Sequence, residues 1–372
     1  MIRARLRQGS AAAQPGLQRS AARQRQRLRR SWLTGALLCA LLLLFLLNLM
    51  LGSVTIPPLE VLRVLTGQAA GEDAWARIIL LIRLPKALTA LLAGAALGVS
   101  GLLMQTLFRN PLAGPFVLGI SSGASLGVAL LLLSAGSLGA TLLAGAGLSG
   151  SLALAGAAMA GAALVLALVL LVARVVGSNM TLLVLGVMLG FLTSALVSLL
   201  LYFSIPEQIQ AFINWSFGSF GTVSWRELRV MAPLLLAGLG LALALAKPLD
   251  ALLPGEQVAH SLGLNVRRAR LQLMLATAIL AGTVTAFCGP VGFLGIAVPH
   301  LCRGLLGTSV HRALLPACML CGAGLALLAA IIAGLPGSNL VLPLNAVMAL
   351  LGTPVVIHVL LRRRNLARAF VS

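Results

Sequence analysis

The sequence predicts an all-α, polytopic membrane protein with about ten transmembrane helices. Three observations predict it. Of the 372 residues, 60% are hydrophobic and 9% are charged, whereas a soluble domain carries roughly 25% charged residues to keep its surface wet. Apolar runs of about 20 residues, enough to cross a roughly 30 Å hydrocarbon core, recur along the chain. The cations gather beside those runs rather than over a folded surface. A lipid-exposed backbone must satisfy its own hydrogen bonds, so each run is read as a helix.

The ten runs fall at 32–51, 84–105, 112–134, 141–173, 181–203, 230–246, 271–288, 290–306, 313–334 and 340–361. Short connections near 288–290 and 306–313 soften the count to between nine and eleven. The formal net charge is +20, which invites a nucleic-acid reading, but its placement excludes one. Nine arginines lie in the first thirty residues, and Arg362, Arg363, Arg364 and Arg368 follow the last run. Cations in these positions mark cytoplasmic segments. Both termini are therefore expected inside, which requires an even number of spans.

The expected organisation is a basic cytoplasmic tail (1–31), a transmembrane domain (32–361) and a short C-terminal tail (362–372). The Gln-, Ala-, Ser- and Arg-rich tail has too few large apolar residues to pack and reads as disordered. No small-residue cleavage site follows Trp32–Leu51, so that run is a retained span rather than a signal peptide. In the loop beyond it, "IPPLEVLRVLTG" has helical apolar spacing and a Pro-Pro start, and predicts a short helix on the membrane surface. Arg83 and Lys86 stand at the outer lip of the second run, which ends in the helix-breaking "LFRNPLAGP". The fourth run is too long for one simple span and is read as holding a turn or a tilted helix. Trp215 and Trp225 lie where interfacial rings settle.

The longest polar stretch between spans, 247–275, is cytoplasmic by its Lys247, Arg267, Arg268 and Arg270. Within it "PGEQVAHSLG" predicts a short helix, with Glu256 in the first turn and a stop at Gly263. Downstream, Gly289, Pro290, Gly292, Gly295 and Pro299 predict a broken, closely packed helix. His300 beside them reads as a packed, hydrogen-bonded side chain. The five cysteines lie in or beside apolar runs, where Cys318 and Cys321 read as small hydrophobes rather than ligands.

None of the seven acids falls at the middle of a predicted span, which counts against an ion-coupled carrier. The two lysines, Lys86 and Lys247, follow proline and alanine, so no phosphate-binding P-loop exists. No catalytic triad, zinc motif or carboxylate pair is present. The residues alone describe a non-enzymatic channel or carrier subunit, without a cofactor or metal, whose energy for uphill transport arrives from a partner.

Four segments, in order, resemble one family. They are "RLPKALTALLAGAALGVSGLLMQTLFRNPLAGPFVLGISSGASLG" (83–127), "PGEQVAHSLGLNVRRAR" (254–270), "GPVGFLGIAVPHLCRGLLG" with "HRALLP" (289–316), and "LPLNAVMALLGTPVVIHVLLRRR" (342–364). They resemble the FecCD-type permeases of bacterial ABC importers for ferric siderophores, haem or cobalamin. The resemblance implies a subunit of the bacterial cytoplasmic membrane with ten helices and both termini inside. It also implies four kinds of partner: a second permease copy or homologue, two cytoplasmic ATPases, a soluble or lipid-anchored binding protein, and membrane lipid.

By the same resemblance Arg83 and Lys86 dock the binding protein, with Lys86 in place of the more usual arginine. Glu256, Ala259, Leu262 and Gly263, in a coupling loop at about 248–270, dock the ATPase. Members often carry an Asp, an Arg and a Glu where this chain has Ala330, Gly334 and Val341. The path through the membrane is assigned to small residues including Gly119, Ser121, Ser122 and Gly123, and a ferric-siderophore-like chelate is the expected cargo. Cobalamin or haem is the alternative within the family, and an ion-coupled carrier is the alternative outside it.

Overall fold

The computed structural model describes residues 31–68, 74–133, 150–175, 179–338 and 340–361. The expected disordered basic tail and the C-terminal tail lie outside these residues, as does the start of the fourth run. Every described regular element is helical, and each of the ten apolar runs contains an apolar helix: seven are long enough to cross a membrane, and those over Ile120–Leu133, Leu294–Leu306 and Leu344–Ile357 are shorter.

The chain enters as α1 (Ser31–Met50), whose outer face is exposed at Trp32, Leu42 and Leu43. The surface helix α2 (Pro58–Leu65) starts on a proline, as its fixed φ favours, and buries Val61 and Val64. The second span, α3 (Ala74–Leu107), begins about ten residues earlier than the apolar run. Pro85 looks like a helix start, yet the helix runs through it. The reason is a wide π turn over Ile78–Arg83, where the N–H of Leu84 reaches back five residues to the Ile79 carbonyl. In that register Pro85 has no N–H for the Leu80 carbonyl. The Trp225 indole Nε1 supplies the bond at 2.7 Å.

A 3₁₀ turn (Pro115–Leu118) and Gly119 then launch α4 (Ile120–Leu133). Next come α5 (Gly150–Val175) and α6 (Asn179–Tyr202), followed by the amphipathic α7 (Pro206–Ser216). The helix α8 (Trp225–Ala244) opens with a capping box. Ser224 Oγ accepts from the Arg226 N–H, and the Ser224 N–H donates to Glu227 Oε2 at 3.0 Å. Two short helices, α9 (Ala246–Leu252) and α10 (Glu256–Ser261), lead to α11 (Val266–Cys288). The predicted break lies at 289–293, between positive-φ Gly289 and Phe293, and separates α11 from α12 (Leu294–Leu306). The chain ends with α13 (His311–Ala333) and α14 (Leu344–Leu361).

The bundle is built around α3. Buried residues make up 83% of its apolar window, against 22% for α6 and 11% for α1, so α3 is the axis and α6 and α1 lie at the periphery. Its closest partner is α13. A Cβ on Gly94 would lie 2.2 Å from the Gly322 carbonyl oxygen, and one on Gly322 would lie 2.2 Å from that of Gly94. Such backbone approach is how small residues associate helices in lipid, where hydrophobic burial offers no extra drive. Gly98 against Cys318 continues the contact in an antiparallel register.

Candidate functional site

The two ends of α3 carry the two candidate sites. At one end Arg83 and Lys86 part company. The π turn rotates Arg83 inward, where it is 7% exposed. Its Nη1 donates to the Leu49 and Met50 carbonyls, both at 2.8 Å, and its Nη2 donates to the Val54 carbonyl. These include the last carbonyls of α1, which have no partner within their own helix. Arg83 therefore caps α1 and holds the loop that follows, and it also forms part of the wall of the cavity that Lys86 lines.

Lys86, one turn further on, is half-buried and lines a cavity of about 340 Å³. Arg83, Asn48, Ser53 and Ser338 supply other polar atoms to its wall. Ala330, Gly334 and Val341, the three positions where the family often carries charge, line the same cavity. Small side chains there leave room around an ammonium group, and none of the described residues that line it is acidic.

The two cations should therefore respond differently to substitution. Arg83→Ala takes the donor from the buried Leu49 carbonyl and one donor each from the Met50 carbonyl, which keeps the Ile56 N–H, and the part-buried Val54 carbonyl. At about 1–3 kcal/mol for the orphaned buried carbonyl, with the loosened loop in addition, it should lower the melting temperature of the purified protein. Lys86→Ala should leave that melting temperature unchanged, because Lys86 faces a cavity and caps no helix. Differential scanning fluorimetry of both variants checks this.

At the opposite end of α3 lies the predicted coupling helix, now α10. Its four expected residues do not share one surface. Ala259 is fully buried against the bundle. Glu256 pairs with Arg270 at the base of α11, Oε1 and Oε2 accepting from Nη2 at 2.9 and 3.1 Å. Leu262 is 69% exposed, and Gly263 is exposed at φ +83 with open space where a Cβ would project. Sequence reasoning missed Val258, which is 45% exposed. Its spacing of four residues from Leu262, which places both on one helix face, was the available signal.

Because Arg270 is buried and Glu256 only partly so, removing one partner strands a charge, whereas exchanging both keeps the pair. Arg270→Glu alone should destabilise by about 3 kcal/mol or more. Combination with Glu256→Arg should restore part of that loss, which chemical or thermal melts of the single and double variants would show.

Around α10 a further polar cluster joins three elements. Asp250 Oδ1 on α9 accepts from the backbone N–H of His311 and faces its Nδ1, both at 2.8 Å. His311 Nε2 is 2.8 Å from Thr106 Oγ1 on α3. Nearby, Arg303 Nη1 donates to Gln105 Oε1 at 2.5 Å, and His300 Nε2 bonds the Pro111 carbonyl at 2.7 Å. His300 is thus packed and hydrogen-bonded, as its neighbourhood predicted.

Of the residues assigned to a path, Gly119 and Gly123 are buried in helix contacts. A Cβ on Gly119 would meet Val165 and the Gly186 carbonyl, and one on Gly123 the Gly161 carbonyl at 2.6 Å. They let α4 approach α5 and α6 and do not line an open face. Ser121 and Ser122 are half-exposed.

The FecCD transport family model matches residues 40–362. The vitamin B12 import system permease protein BtuC of Klebsiella pneumoniae is 41% identical over 91% of this chain and 96% of its own length. The hemin transport system permease protein HmuU of Yersinia pestis is 38% identical over 88% of this chain and 96% of its own. A solved metal-chelate type ABC transporter in an inward-facing conformation superposes with a TM-score of 0.77 and 29% identity. It covers 89% of this chain and 99% of that one. On the all-helical fold, the ordered motifs and these matches, the chain belongs to the FecCD transport family.

Proposed function

We propose that the chain is the membrane-spanning permease of a binding-protein-dependent ABC importer in the bacterial cytoplasmic membrane, carrying a metal-bearing macrocycle of the cobalamin or haem class inward. The observation that carries this reading is the match over nearly the whole length of two permeases, one named for vitamin B12 and one for hemin. The ferric siderophore expected from the sequence gives way to these, because both names denote macrocyclic chelates.

In this reading the chain catalyses nothing. Two partner ATPases hydrolyse ATP on the cytoplasmic side and seat on α10, where Val258 and Leu262 offer an exposed apolar pair beside the Gly263 turn. The binding protein docks on the opposite face, where the Lys86 cavity receives an acidic side chain. Ammonium groups so placed steer encounter and set register more than they add affinity. A second permease subunit completes the path, with Ser121 and Ser122 on its wall. The basic tails (1–31 and 362–372) remain cytoplasmic, and the coupling segment spans about 248–270.

Uptake by a host lacking its own permeases, supplied with this chain and its partner subunits, tests the reading. Labelled cyanocobalamin or haemin should accumulate, and a ferric siderophore should not. Accumulation of the siderophore alone would restore the first expectation. Accumulation of any of these without ATPase subunits would remove the ABC reading.

A further inference from the structure

We propose that Asp250, His311 and Thr106 form the joint through which displacement of the α9–α10 segment reaches the α3–α13 pair, and that this pair acts as one strut between the coupling end and the Lys86 cavity. The inference rests on the ABC reading above, since the ATPases supply the displacement.

The joint has the right connectivity. The Asp250 carboxylate on α9 bonds both the backbone N–H and the ring of His311, the residue that opens α13. His311 is 1% exposed and passes the connection from α13 to Thr106, at the end of α3. With Nδ1–H donating to the carboxylate, Nε2 is an acceptor for the Thr106 hydroxyl, whose one proton is shared between Nε2 and the Leu102 carbonyl at 2.9 Å. One histidine thus ties α9, α13 and α3 together. Asp250 also sits six residues before the start of α10 at Glu256, so a push on α10 arrives at the joint over a short lever.

The strut follows from the register. Thr106 meets His311, Gly98 meets Cys318, and Gly94 meets Gly322. At the far end a Cβ on Gly334 would lie 3.4 Å from Lys86 Nζ. The two helices therefore run side by side for about 20 residues, or roughly 30 Å of helix, with backbones too close to slide independently. Close-packed elements of this kind shift as bodies rather than deform. The walls of the Lys86 cavity come from Ile78–Lys86 on the α3 helix and from Ala330 and Ile331 on α13 with Gly334 beyond it. Movement of the pair changes the cavity that holds Lys86. Asp250 and His311 are positioning residues in this scheme and touch no cargo.

The test uses the importer assembled with its ATPases, carrying Ser338→Cys as a reporter in the cavity wall and Cys39→Ala to remove the exposed native thiol. Labelling of the reporter by a water-soluble maleimide is timed with and without ATP plus vanadate. The parent should show a nucleotide-dependent change in rate of about fivefold or more. Asp250→Ala and Thr106→Val should each cut that change to under twofold while the ATPases still copurify. Asp250→Asn, which keeps the Oδ1 acceptor, should retain most of it. A full nucleotide response in both Asp250→Ala and Thr106→Val overturns the joint and leaves the importer reading standing. Absence of any response in the parent overturns the importer reading, and the joint with it. Should Asp250→Ala fail to assemble, Thr106→Val decides alone, because it removes one hydroxyl at constant volume.

Discussion

Gly101→Val is expected to abolish accumulation of folded protein. Gly101 lies on α3 where α12 crosses it, and a Cβ there would fall 1.7 Å from the Gly295 carbonyl oxygen. The obstacle is backbone, so no side chain can rotate aside, and α12 must retreat by more than about 1 Å. Gly295 is itself wedged, its own Cβ position lying 2.4 Å from Pro115 Cδ, so retreat in that direction opens other contacts. Overpacking a core with yielding neighbours costs about 1–3 kcal/mol, and a rigid neighbour on each side pushes the cost to that ceiling or beyond. In lipid the loss is not offset by hydrophobic burial elsewhere, because van der Waals fit is what associates the helices. Fluorescence-detected size-exclusion of the detergent extract is the measurement. Gly240→Val is the control, since no atom lies within 4 Å of its Cβ position on α8. A monodisperse Gly101→Val peak at the control's height would show that the α3–α12 crossing is not the constraint it looks to be.

The same contact explains what was legible in the sequence and what was not. Span number and order follow from hydropathy alone, because each apolar run must close its own hydrogen bonds, and all ten appear as helices. The cluster Gly289–Pro299 announced its break for an equally local reason. Arg83 was illegible because its direction depends on one extra residue in a turn. A π turn rotates every later side chain relative to an α-helical count, and it was stabilised from afar by Trp225. The Glu256–Arg270 pair was not legible because Arg270 lies fourteen residues along and across a turn. Gly119 and Gly123 looked like path residues because smallness serves a wide passage and a tight helix contact equally well. Only the position of α5 and α6 decides between the two.

The double substitution Val258→Asp with Leu262→Asp should reduce ATP-driven uptake to background while leaving the protein folded. Both side chains point away from the bundle, so their exchange removes no internal contact. The inward residue of the same helix, Ala259, and the Glu256–Arg270 pair keep α10 on its seat. An apolar pair four residues apart on an otherwise polar surface helix is the kind of face that a partner's groove covers. Burying each such side chain is worth about 1.5–3 kcal/mol, so losing both should weaken ATPase association by at least about 100-fold. Two carboxylates in place of the pair add a desolvation cost to any residual docking. Gly263→Pro is a poorer probe of the same surface. Its φ of +83 is closed to proline, so the turn into α11 would break and loss of uptake would report misfolding. Copurification of the ATPases and their stimulation by the binding protein, measured beside an unchanged melting temperature, isolate the surface. If the doubly substituted permease still holds its ATPases and imports at more than half the parent rate, the motor seats elsewhere, and the exposed pair serves only to touch the headgroup layer.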